Sequence, residues 1–347
     1  FGSAFTLTDD LTVNDNLTLG KLRDDGTGQS LTGDGKTLTG TGTLTMGGSF
    51  EGEPKNRTNE RASAFGDITT GDITSGNLTV TGDLVPSTPL SNRNFIMNGG
   101  MQVWQRATAA TAGHGFFTVD RFRQNEQTGG AYTSEKHTMT AAELNTTGHA
   151  AAVKLACTTA DASIGADEYA YFPQTIESQN LQPLQYGTAN AQTITLSFWV
   201  KSNKTGTYCI QLRKKTNTIY YYTKEYTISS ADTWEQKKIT ITPTAGSTTL
   251  ITNSAGAITN DNSGGLEVGF ALAMGDTYEG TNDTWTASAT YATSSQVNWL
   301  DSTSNNFYLT GVQLELGSNA TPFEHRSYGD ELARCQRYCF KTYAEDA

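Results

Sequence analysis

Short apolar and threonine units run through residues 1–90. "FTL" at Phe5, "LTV" at Leu11 and "LTL" at Leu17 start six residues apart, and the unit returns at Leu38 and Leu44. The spacing then tightens to about five at Ile68, Ile73 and Leu78 before Leu84, and each unit ends in Gly, Asp or Asn, which turn a chain. A rung with two or three apolar side chains cannot exclude water alone, so such repeats are stable only when stacked on neighbours or on other chains. One chain has too few residues per rung for a closed solenoid. This predicts a fibrous stalk over residues 1–90 wound from identical chains, a homotrimer by analogy with other repetitive β stalks. The competing reading, a disordered low-complexity linker, is opposed by the regular pairing of Leu or Ile with Thr. Residues 51–65, "EGEPKNRTNERASAF", break the pattern with charge and a Pro and read as a loop or short helical interruption.

At "NFIMNGGMQVWQR", residues 94–106, the pattern changes to that of a sandwich. In "TITLSFWVK" Ile194, Leu196, Phe198 and Val200 alternate with Thr195, Ser197 and Trp199, a period of two. The same logic assigns Leu266, Val268, Phe270, Leu272 and Met274 to the interior of "LEVGFALAM", and Tyr308, Val312, Leu314 and Leu316 to that of "FYLTGVQLEL". With "AVKLAC", "YCIQLR", "YYYTKEYTI" and "KKITIT", at least seven strands fall between residues 94 and 317. The fold class is therefore all-β: a repeat stalk followed at 91–347 by a jelly-roll β-sandwich. A C-terminal helix is expected over 328–341, capped by Ser327 with Asp330 three positions on, and Leu332, Cys335 and Cys339 form its stripe. The outward Gly269, Ala271 and Ala273 are all small, which hints at a subunit interface, and Trp199, on an otherwise polar face, suits packing under a loop or against a neighbouring subunit.

Charge excludes some functions. With 24 Lys and Arg against 35 Asp and Glu the chain carries a net −11, and no basic stripe offers a nucleic-acid surface. Such acidity suits high ionic strength, where self-repulsion is screened. No run of about 18 apolar residues predicts membrane insertion, and no signal peptide is recognisable. The first residue is Phe1, so a processed or trimmed chain is expected. Four dispersed cysteines do not make a disulfide framework, which fits folding in a reducing cytoplasm. Cys335 and Cys339, one helical turn apart, read as small buried thiols, since a disulfide across one turn is strained.

The residues offer little for catalysis. His114, His137, His149 and His325 lack metal-ligand spacing, and neither cofactor nor metal is expected. The glycine pairs in "TMGGSF" and "NGGM" lack the lysine of a phosphate loop and read as turns. A glycan hydrolase needs two converging carboxylates. Asp161 with Asp167 and Glu168, or Asp276 with Glu279 and Asp283, sit in loops where solvation is the simpler role, and "DTYEGTND" lacks the ordered spacing of a calcium loop. No enzyme is predicted.

Several segments carry a likeness: "NGGMQVWQR", "VDRFR", "LSFWVKS", "VNWLDSTSN" and "FYLTGVQLELGSNATPFEHRSYGDELARCQRYC". Together, over roughly residues 92–343, they resemble the C-terminal module of bacteriophage fibre proteins, especially those of marine podoviruses such as cyanophages. The resemblance implies a carbohydrate-binding jelly roll at the end of a trimeric stalk, a place on the virion surface, and attachment to a host glycan such as lipopolysaccharide or capsular polysaccharide. Other virion proteins would meet the N-terminal end. No virion-anchoring domain is recognisable ahead of the stalk, which leaves tail or capsid attachment open, and the second cysteine of "CQRYCF" departs from the pattern. Trp104, Arg106, Asp120 and Arg121 match its motifs and read as structural, with Asp and Arg pairing at the junction. Two rival readings remain at this point: a capsid-attached or purely structural fibre, and a binding appendage of a glycan-degrading enzyme.

The aromatic supply, fifteen Tyr and five Trp, exceeds what an aliphatic sandwich core needs. Aromatic faces stack on sugar rings while polar loop residues bond the hydroxyls. Tyr278, Trp285, Tyr291 and Trp299, in or beside the polar stretch 276–300, are the candidate glycan-binding residues. The alternative is that they fold over the sandwich edge or bury between subunits.

Overall fold

The computed structural model describes residues 91–341; the expected stalk and the last residues lie outside them. The strands are β1 (Thr111–Ala112), β2 (Asn125–Gln127), β3 (Ala131–Thr138), β4 (Ala151–Thr159), β5 (Tyr169–Glu177) and β6 (Ile194–Ser202). They continue with β7 (Gly206–Lys214), β8 (Tyr220–Ile228), β9 (Glu235–Ile241), β10 (Gly264–Met274), β11 (Thr284–Thr286) and β12 (Asn306–Leu316). Two six-stranded sheets result, ordered β1-β3-β4-β12-β6-β9 and β11-β8-β7-β10-β5-β2, and every strand pairing is antiparallel. From β4 onward the chain crosses repeatedly between the sheets, the jelly-roll sandwich that the alternating segments predicted.

Residues at every second position meet between the sheets. Phe198 from the first sheet lies 5.0 Å from Phe270 and 5.1 Å from Tyr226 of the second, and Tyr208 lies 5.8 Å from Phe307. Each such side chain contributes roughly 2–3 kcal/mol of burial.

Two β-bulges shift the predicted faces. Gly311, at φ +62°, sits in a register shift between Thr310 and Gln313 and reverses the alternation along β12. Phe307 and Leu309 therefore point inward before it, with Val312 and Leu314 after it, while Tyr308, expected inside, is half-buried on the outer face. On β10 the shift between Ala271 and Ala273 puts Ala273 into the core and turns Met274 outward, onto Cys209, Ala271 and Ala292. Gly269 and Ala271 are covered by this same chain, by Gln211, Tyr171 and the 275–293 loop, so their small size makes room for intramolecular neighbours and not for the expected subunit interface.

Two helices flank the sheets. The unpredicted α1 (Ala141–Thr147) starts with a capping box of Thr140 and Glu143 and ends at Gly148 with φ 75°. The C-terminal α2 (Tyr328–Gln336) is capped as expected, with Ser327 Oγ accepting from the Asp330 N–H at 3.2 Å. It ends five residues before the expected 341, where Arg337 turns away to Glu177 at 2.9 Å and Tyr338 to Arg121. Cys335 is buried, Leu332 and Cys339 are half-buried, and all four cysteines are free.

The motif residues form a clasp. Asn98, at φ 57°, donates to the carbonyls of Val103 and Asp120 and accepts from the N–H groups of Gln102 and Val103. Asn94 donates to Val312 O at 3.0 Å and accepts from Ile96 and Leu314, which ties the first described segment to β12. A Cβ on Gly99 would stand 2.0 Å from Val312 O, so only glycine fits. Arg326 then joins the start to the end, donating to Asn94 O at 2.6 Å and pairing with Glu324 at 3.0 Å and Glu331 at 3.5 Å. The expected ion pair of Asp120 is with Arg106, at 2.6 Å, while Arg121 stacks 3.3 Å over the Tyr338 ring. Trp104 is buried and donates to Met101 O at 2.7 Å.

Candidate functional site

A cleft opens on the outer face of the second sheet. Alternation on β7 sends Ile210, Leu212 and Lys214 inward and leaves Arg213 facing out. On β5 Tyr169 and Tyr171 point outward between the inward Ala170 and Phe172, and on β10 Glu267 does the same between Leu266 and Val268. Gly269 keeps the floor low: a Cβ there would stand 2.5 Å from Gln211 Nε2 and 3.1 Å from the Tyr171 ring.

The 275–293 loop makes one wall. Gly275 N–H donates to Glu168 O at 2.9 Å, and Tyr291 N–H donates to Tyr278 O at 2.8 Å, so the loop folds on itself. Ala292 pins it to the sheet by packing on Cys209 and Ala271. The opposite wall is β2 with Asn125 and Gln127, preceded by Arg123, which donates to Asn125 Oδ1 at 2.9 Å and contacts His114. The enclosed volume is about 330 Å³, within the size of a small-molecule site.

Tyrosines dominate the aromatic lining. Tyr291 lies 5.4 Å from Tyr171, 5.6 Å from Tyr221 and 5.3 Å from Tyr278, and Tyr169 bridges Tyr278 at 5.6 Å and Tyr171 at 5.7 Å. Five rings thus brace one another at centroid spacings typical of edge and offset packing. Burial pushes the Tyr171 and Tyr291 hydroxyls far above the ordinary tyrosine range, so they stay protonated. Glu267, itself buried, accepts from Thr175 at 3.2 Å and Lys215 at 3.3 Å. The cleft can therefore stack a flat apolar face on rigid rings and offer hydroxyl, amide, guanidinium and carboxylate groups around it. It holds one carboxylate, whereas glycoside hydrolysis uses two.

The structure divides the four residues predicted from sequence. Tyr278 and Tyr291 line the cleft. Trp285 and Trp299 do not, which corrects the expectation for both. Trp285 is 1% exposed, donates through Nε1 to Thr242 O at 2.9 Å, and packs 5.2 Å from Tyr222. Trp299 is 0% exposed with its ring edge-on to Tyr132 at 6.2 Å. A sugar cannot stack on rings that reach no solvent. The unpredicted members, Tyr169, Tyr171, Arg213 and Glu267, come from strands. Their signal was the alternation itself, since "YAYF" and "QLRK" place these side chains opposite the core face.

Three of the six acidic loop residues are otherwise engaged. Asp283 takes Tyr222 at 2.6 Å and Lys224 at 2.8 Å, Asp161 accepts from the Ser163 N–H at 3.1 Å, and Glu168 accepts from the Gly165 N–H at 2.6 Å. Trp199 is half-buried against Gly311. Among the described residues no three of His, Cys, Asp and Glu converge as metal ligands, and no helix is long and apolar enough to cross a membrane.

No protein-family model matches the chain, and no curated protein matches it. Among solved structures, it is similar to the enzymatically active domain of bacteriophage CBA120 tailspike protein 4, at 13% identity over 65% of this chain and 21% of that one, with a TM-score of 0.30. This chain thus spans about a fifth of that structure's length. It is similar to a putative sugar binding protein from Bacteroides thetaiotaomicron at 12% identity, covering 65% of this chain and 100% of that one, with a TM-score of 0.33. A third likeness is to the family 11 carbohydrate-binding module of the cellulosomal cellulase Lic26A-Cel5E of Clostridium thermocellum. There the identity is 11%, the coverage 62% and 99%, and the TM-score 0.31. Likenesses this weak assign no activity.

Proposed function

We propose that the chain is a phage fibre protein whose sandwich is a non-catalytic glycan-binding head, used for attachment to the host cell surface. The observation that carries this reading is the cleft of mutually braced tyrosines ringed by Arg, Lys, Asn, Gln and Glu side chains. Rings fixed before binding cost little conformational entropy when a sugar stacks on them, and the polar rim supplies orientation. The single carboxylate, held by Lys215 and Thr175, favours binding over hydrolysis.

The fibre context rests on the motif resemblance and on the repeats of residues 1–90. Three identical heads on one axis would engage a repetitive polysaccharide together, and effective concentration would raise avidity well above single-site affinity. The head would then sit at the virion surface, with the stalk leading back to other virion proteins.

Calorimetry of the purified chain with polysaccharide fragments from a susceptible host tests the reading. Binding that weakens about tenfold, roughly 1.4 kcal/mol, in Tyr291→Ala, with no release of reducing ends, is the expected result. Absence of binding to any host glycan, or hydrolysis of one, would overturn it. Excess free chain should block adsorption, and the solution mass should be three times the 37.3 kDa protomer.

A further inference from the structure

The charge of the cleft runs against the charge of the chain. Overall, 35 acidic residues outnumber 24 basic ones, yet the cleft is lined by Arg123, Arg213 and Lys215 against Glu267 alone. Lys215 and Glu267 answer each other at 3.3 Å, which leaves two guanidinium groups facing the cavity. Neither has an ion-pair partner among the described residues. Arg213 rests beside the Tyr221 ring, 5.7 Å from its centroid, and its Nε–H is buried without any hydrogen-bond partner.

The outer face of the other sheet shows what this protein does where charge is only structural. There Glu143 takes Lys201 at 2.7 Å and His137 at 3.0 Å, and Glu135 takes Lys154 at 2.7 Å. There Lys201 and Lys154 are each matched by a carboxylate, while in the cleft Arg213 and Arg123 are not, Arg123 meeting only the Asn125 amide and His114. An unanswered guanidinium beside a concave aromatic wall is an incomplete half of a charge-assisted pair. Its planar fork fits a carboxylate or a similar oxyanion in two-pronged fashion, and a buried donor left unbonded costs free energy until an acceptor arrives.

Resting on the reading of the cleft as a glycan site, we infer that its ligand is an acidic saccharide, whose anionic substituent is held by Arg213 with Arg123 while the sugar ring stacks on Tyr291. A neutral sugar would leave both guanidiniums unmatched in a partly desolvated cavity. The negative body of the chain repels polyanions at long range, but this is screened beyond about 8 Å in physiological salt, so the local pairing decides.

Titration of the full chain with tetragalacturonate, a sulfated carrageenan tetrasaccharide and uncharged cellotetraose separates the possibilities. At least one anionic oligosaccharide is expected to bind tenfold or more tighter than cellotetraose, and to weaken as salt rises. Preference for tetragalacturonate identifies a carboxylate ligand and preference for the carrageenan a sulfate. Arg213→Gln should erase the preference and Arg213→Lys should keep part of it; Arg123→Gln repeats the test if Arg213→Gln does not fold. Equal or tighter binding of cellotetraose, lost in Tyr291→Ala, would overturn the inference and leave glycan binding standing, as would a preference that survives both glutamine variants. Binding of none, including host polysaccharide, would remove both.

Discussion

The clasp and the cleft solve opposite problems on one sandwich. The clasp is densely bonded within the chain: the Asn98 side chain alone makes four hydrogen bonds, and Arg326 joins residues 94, 324 and 331, with only its Nε–H left without a partner. In the cleft, rings are braced but two guanidiniums lack an ion-pair partner, and the Nε–H of Arg213 has no acceptor. The difference teaches that the density of a sequence motif tracks how many partners a residue must satisfy inside its own chain, which makes the clasp conspicuous and the cleft quiet.

That contrast breaks if clasp residues prove dispensable. Gly99→Ala forces a methyl onto the Val312 carbonyl and should cost about 4 kcal/mol or more, read as a lowered urea midpoint. A loss below about 1 kcal/mol would mean that the two segments separate freely. Asn98→Ala, which strands several buried backbone groups, should cost about 3 kcal/mol without changing affinity at the cleft in the protein that remains folded.

Acid should also act on the clasp. His149 packs beside Phe323, 4.6 Å away, and under Gly100, and burial, then the nearby His325, lowers its pKa to about 4. The unfolded chain therefore binds the proton first, and stability falls as pH drops from about 6.5 through 4, by about 3 kcal/mol for the full titration. Denaturation of His149→Phe at pH 7 and 4.5 should show a flatter profile than the parent. Beside the cleft wall, Glu126 has the opposite sign. Burial raises its pKa to about 7, so its protonated form favours folding and stability declines as pH rises from 4.5 to 7. Glu126→Gln should gain stability relative to the parent at pH 8, by an amount on the order of 1–2 kcal/mol, and an equal profile for both would show that the carboxyl is already solvated.

The smallest expected change in stability sharpens the comparison most. Tyr291→Ala should cost only about 1 kcal/mol in the fold, because its ring is incompletely buried and rests on other tyrosines outside the sandwich core, while affinity falls about tenfold. A loss of several kcal/mol would make Tyr291 a scaffold residue like Trp285.

Much of the scaffold was legible in the residues. All seven quoted apolar segments lie in strands, because a half-buried strand must alternate. Strand β5 escaped notice because Pro173 interrupts it and reads as a break. The inward phase of β12 was wrong before Gly311 and right after it, since one bulge flips every preceding side chain and a single glycine gives no sign of which half to trust. Helix α1 was overlooked even though Thr140, Glu143 and Gly148 spell its cap and stop. For the cleft, proximity to polar residues in sequence located Tyr278 and Tyr291 but also drew in Trp285 and Trp299, whose indoles fill the interior. Which large ring faces out depends on how loop and sheet meet, and local sequence does not encode that.

Strand β12 lies between β4 and β6, inside its sheet, and the clasp fastens the segment beginning at residue 94 directly to it. A pull on the chain from that side is delivered to a central strand of the first sheet, held by ladders on both flanks, and bypasses the edge strands that peel most readily. The tyrosine cleft lies on the other sheet. The same segment also reaches that sheet, through Met97, which exchanges hydrogen bonds of 2.9 and 2.8 Å with Gln174 of β5, so such a load would be shared between the two layers.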